Sequence, residues 1–175
     1  MIIPVTSAIR GDSYYEYLLK QWVQTGKTVD YLREDFLESV RGVNERLSKR
    51  TMPNRLLFVG ELISSKQFKP KMDELVSLQQ SRSLLCEVHK VLRWILTHVS
   101  NLRQVCFLPG TLALAAHHGL SLSGDLPPSG QDPNEGKSNK NLLLEMAEEL
   151  AYTCYLTFAR QPTHLAPEIT HFNYK

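Results

Sequence analysis

Residues 8–22, AIRGDSYYEYLLKQW, place the tripeptide Arg10-Gly11-Asp12 directly before an aromatic run with helical spacing. Tyr15, Leu18, Leu19 and Trp22 recur at i, i+3, i+4 and i+7, which is one face of a helix over 13–25. Tyr14 and Tyr17 spread aromatic character around it, so the helix is expected to be buried on more than one side. Asp12 or Ser13 is suited to cap its start, with Gly11 at a turn into it, and Gly26 is suited to end it. Two uses of the tripeptide stay open at this point: an adhesion sequence, or a carboxylate held at the mouth of a helix.

The same period continues along the chain. Leu32, Phe36, Val40, Val43 and Leu47 predict a second helix over 28–49. Pro53 and Asn54 interrupt it, and residues 56–59 read as a short buried strand ending at Gly60. An apolar helix is expected over 105–120, opening on a Pro-Gly break. Residues 121–141 have the composition of a loop. Leu143, Met146, Ala147, Leu150, Cys154 and Phe158 predict a helix over 142–160, and the chain closes in irregular or extended form around Pro167. The expectation is an all-α architecture with minor β-strand and hairpin content and no βαβ alternation.

Several function classes are disfavoured by what the sequence holds. The 175 residues are 42% hydrophobic and 22% charged, the proportions of an ordinary globular protein. A net charge of +2 without a basic, aromatic-laced stripe gives no expectation of nucleic-acid binding. No run approaches the roughly 18 apolar residues of a membrane span, and no targeting segment is expected within the chain. Cys86, Cys106 and Cys154 have no metal-ligand spacing, and phosphate-loop, HExxH and GxSxG signatures are missing. Asp12, Glu61, Asp73 and Glu168 stand at element boundaries, where capping or solvation is the ordinary role of a carboxylate.

Five strings in order, GDSYYEYLLKQW, LLFVGEL, KMDEL, VCFLPGTLAL and APEITHFN, resemble the class I α-1,2-mannosidases, glycoside hydrolase family 47. The wording is closer to the endoplasmic reticulum members than to the Golgi ones. The resemblance covers roughly residues 8–75 and 105–174. It implies a middle fragment of an (α/α)7 barrel, and hydrolysis with inversion of terminal α-1,2-linked mannose on oligomannose N-glycans of glycoproteins. It implies catalytic roles for Asp12 and Glu168, and sugar contacts for Arg10, Asp73 and Glu74. Arg10 matches an arginine that helps to choose the mannose branch. Glu74 stands where many relatives carry histidine, which puts any contact made by that histidine in doubt. Cys106 and Cys154 match a disulfide pair of the family, which would place the chain in the endoplasmic reticulum lumen. Family members hold calcium, but the threonine that ligates it has no match here, so no metal ligand is expected in this chain. Membrane anchoring is expected only through a segment outside it.

The upstream glutamate that serves the family as acid also has no match in these residues. The 175-residue chain is therefore expected to be poorly folded and inactive, with Tyr15, Leu18 and Trp22 left short of partners. An alternative on the same fold is a non-catalytic glycan-binding protein of quality control. Residues 76–104 interrupt the resemblance between KMDEL and VCFLPG. They begin Val-Ser and end in Gln, which splice signals can encode, so a retained intron is one reading. The other is an inserted helix, since Leu85, Val88, Leu92, Ile95 and Val99 keep a helical stripe.

Overall fold

In a computed structural model, residues 8–63, 67–73, 107–127, 141–163, 167 and 169–174 are described. Among them are four helices: α1 (Ala8–Gln24), α2 (Asp30–Arg46), α3 (Phe107–His117) and α4 (Leu142–Ala159). Six three-residue strands pair as three antiparallel ladders. These are β1 (Ser48–Arg50) with β2 (Leu57–Val59), β3 (Glu61–Ile63) with β4 (Gln67–Lys69), and β5 (Lys71–Asp73) with β6 (Ile169–His171). The 76–104 insertion and most of the 121–141 loop fall outside the described residues.

Helices α1 and α2 pack as a hairpin, and α3 packs along α4. Two glycines make the reversals. At the end of α1, Gly26 (φ +66°) donates to Val23 O and Lys27 donates to Trp22 O, the paired bonds of a Schellman motif. Gly119 (φ +87°) ends α3 likewise, donating to Ala116 O while Leu120 donates to Ala115 O. Lys27 joins the two ends, its Nζ lying over the Trp22 ring and donating to His118 O at 3.1 Å.

The predicted stripes form one core. Leu32, Phe36, Val40, Val43 and Leu47 are buried with Leu143, Met146, Ala147 and Leu150, and Leu112 and Leu57 fill the space between. Leu18 and Trp22, expected to lack partners, are each only 5% exposed. Aromatic burial all round α1 is not what the structure has: Tyr14 is 42% and Tyr17 57% exposed. Tyrosine tolerates this, because its ring is apolar and its hydroxyl accepts water.

Three boundaries also differ from expectation. Helix α1 starts at Ala8, so Gly11 and Asp12 lie within it and neither Asp12 nor Ser13 is its cap. Glycine is merely a weak helix former, costing roughly 1 kcal/mol, and a longer helix carries it. Pro109 and Gly110 sit inside the first turn of α3 without breaking it, since a first-turn N–H has no helical partner to lose. The α2 helix ends at Arg46, and residues 48–50 pair with β2 instead of extending it.

Asn141 closes the long loop with one side chain. As N-cap of α4 its Oδ1 accepts from Leu143 N, and it also accepts from Leu122 N at 3.1 Å. Its Nδ2 donates to Leu120 O at 2.7 Å. Both ends of the loop are thus pinned at its base, and added loop length then costs only slowly growing entropy. Asn141→Ala is expected to lower stability by about 2 kcal/mol, the upper end of the N-cap range, because two further bonds go with the cap. Asn141→Asp keeps the acceptors and loses the donor, so urea denaturation should place it between alanine and the native chain.

Candidate functional site

The last described residues are held against β5 by backbone register and by one aromatic cluster. Lys71 faces His171, Met72 faces Thr170, and Asp73 faces Ile169. Phe172 N donates to Pro70 O at 2.8 Å, and Met52 N donates to Asn173 O at 2.7 Å. The Phe172 ring stacks on fully buried Phe58 with centroids 4.7 Å apart. Phe68 and Tyr174 complete the cluster in tilted and edge-on contacts. Lys71 also pairs with Glu61 at 2.9 Å, and both side chains are largely withdrawn from solvent. Glu61, which the sequence offered only as a boundary carboxylate, is therefore part of the frame under β5.

This frame brings the KMD and ITHFN stretches together across 95 intervening residues, with Asp73 opposite Ile169 at one end of the ladder. Glu168 immediately precedes Ile169 in sequence; it and Glu74 lie outside the described residues. Thr170 is the half-buried residue of β6, and its Oγ1 has no hydrogen-bond partner among the described residues.

Arg10 and Asp12 belong to the first two turns of α1, which packs against α2 and α3, while β5 packs against β2 and β6. One turn beyond Asp12 stands a carboxylate that the sequence reading passed over. Glu16 is buried, and Lys20 pairs with it from the next turn in the favourable Glu-to-Lys order. A signal was available: Glu16 stands three residues before Leu19, at the edge of the apolar stripe. Beside it, burial first and Tyr14 second raise the pKa of the Tyr15 phenol above its usual value.

Cys154 of α4 is disulfide-bonded. Cys106, its partner by resemblance, lies outside the described residues. Among the described residues no three His, Cys, Asp or Glu side chains converge as a metal site requires. No helix among them is long and apolar enough to cross a membrane.

The sequence profile of glycosyl hydrolase family 47 matches residues 5–175. The endoplasmic reticulum mannosyl-oligosaccharide 1,2-alpha-mannosidase of Homo sapiens is 38% identical over 168 residues, covering 96% of this chain and 17% of that protein. A mannosyl-oligosaccharide 1,2-alpha-mannosidase of Arabidopsis thaliana is 36% identical over 179 residues, covering 95% of this chain and 22% of its own length. The endoplasmic reticulum enzyme of Saccharomyces cerevisiae is 31% identical over 167 residues, covering 94% and 24%. The chain thus spans no more than about a quarter of these relatives.

Proposed function

Because the chain belongs to glycosyl hydrolase family 47, we propose that it supplies part of the sugar-binding and catalytic wall of an α-1,2-mannosidase. The substrate is the terminal α-1,2-linked mannose of oligomannose N-glycans, met in the endoplasmic reticulum, and the parent architecture is the (α/α)7 barrel. Asp12 and Glu168 act as carboxylates of an inverting hydrolysis. In that chemistry one carboxyl group protonates the departing glycosidic oxygen while another activates water on the opposite face of the sugar. Arg10 and Asp73 contact the glycan, and Glu74 directly follows Asp73 in the chain.

One observation supports this reading above the rest, the antiparallel pairing of Asp73 with Ile169. It joins two distant stretches of family wording at one strand end, held by backbone bonds that do not depend on substrate. The 175-residue polypeptide taken alone contains no match to the acid of the family and is proposed not to turn over.

Incubation of the purified chain with an oligomannose glycan should release no mannose above the substrate-only control. Calorimetry with an α-1,2-mannobiose analogue, with and without calcium, should detect binding that Asp12→Asn weakens. Robust mannose release would overturn the proposed inactivity. Absence of both binding and release would remove the sugar site from this chain.

A further inference from the structure

We propose that Arg50 is a positioning residue for the β5–β6 ladder, which it reaches at the Lys71–His171 end through the turn formed by residues 51–56. The proposal rests on reading that ladder as part of the sugar site. The Arg50 side chain is only 10% exposed, and its donors reach three separate segments. Nε donates to Pro127 O. Nη1 donates to Arg55 O at 2.9 Å and to Glu149 Oε2 at 2.5 Å, and Nη2 donates to Glu149 Oε1 at 3.0 Å. The planar fork of a guanidinium can make these bonds together, whereas a lysine ammonium on its single stem cannot span them.

The turn is closed from within: Thr51 N donates to Leu56 O, Arg55 N donates to Thr51 O, and Leu56 N donates to Thr51 Oγ1. Arg55 has φ +55°, a conformation that non-glycine residues hold only where their surroundings fix it. The bond from Arg50 to the Arg55 carbonyl is one such restraint. On its other side the turn presents Met52 N, which donates to Asn173 O just beyond β6. Arg50 therefore restrains the turn, and the turn restrains the segment that pairs with β5. The ion pair with Glu149 ties Arg50 to α4 but lies off this path.

Amide hydrogen exchange on the 175-residue chain separates positioning from plain stabilisation. Arg50→Lys, which keeps a cation beside Glu149, should speed exchange at Met52 and Phe172 about tenfold beyond any change in the interior amides of α1 and α4. Glu149→Gln, which leaves the bonds to Arg55 and Pro127 in place, should show no such local excess. Thr51→Val opens the same turn without touching Arg50 and should reproduce the local pattern, also where Arg50→Lys fails to fold. The proposal is overturned if Met52 and Phe172 follow the helices in the folded Arg50 or Thr51 variant, or if Glu149→Gln gives the same excess. This readout needs no sugar, so failure of the mannosidase reading would leave it unchanged.

Discussion

Phe58→Ala is expected to cost about 3–5 kcal/mol, the range for removing a large buried aromatic side chain. Phe58 is fully buried and touches three rings from two separate stretches: Phe68 of β4, and Phe172 and Tyr174 beyond β6. Alanine removes the shared centre of this cluster, and the three remaining rings cannot all collapse into the space. The loss should appear as a lower urea midpoint with an unchanged m-value. Exchange at Phe172 should rise well beyond the global change, because its backbone bond to Pro70 then lacks the stacked ring beside it. Phe58→Leu retains most of the apolar volume and should cost less than half as much. Equal losses in the two variants would mean that the ring contacts, and not the apolar volume that leucine retains, carry the stabilisation.

Gly60→Ala is expected to destabilise by about 3 kcal/mol, the upper part of the overpacking range. Elsewhere the same exchange commonly stabilises by about 0.4–1 kcal/mol through the unfolded chain, so the sign itself is the test. Gly60 lies at the joint where the chain leaves the β1–β2 ladder for β3, and its N–H donates to Leu47 O at 2.9 Å. An added Cβ would stand 2.6 Å from Phe68 Cε2 and 2.7 Å from the Lys69 carbonyl oxygen. The ring could turn aside only by leaving the aromatic cluster. The carbonyl belongs to the strand backbone and cannot yield without opening the β3–β4 ladder. In Gly60→Ala combined with Phe68→Ala, the backbone clash should persist and keep the double variant below Phe68→Ala alone. A neutral or stabilising Gly60→Ala would show that the close approach is not rigid.

The two substitutions bracket what could be read in advance. The strand at 56–59 and its end at Gly60 were legible, because a short apolar run closed by glycine is a local signal. The ring that closes over Gly60 comes from β4 and was not legible. Glu16 escaped for a related reason. Its charge assigned it to solvent by type, while the packing of α1 against its neighbours decided that it would be buried. Arg10, Asp12, Asp73, Glu74 and Glu168 came from resemblance in wording, and periodicity alone singled out none of them for chemistry.

Local patterning determined the four helical segments, their buried stripes and the reversal at Gly26, since each depends on residues within one or two turns. The wording of five short strings determined the family. Tertiary structure alone decided that Asp73 faces Ile169, that Asn141 pins both ends of its loop, and that Arg50 binds three segments at once. Apart from the local bond between Arg50 and Arg55, such contacts join residues from about twenty to nearly a hundred positions apart. Their partners are selected by loop closure and by competition for space in one shared core, so no local period records them.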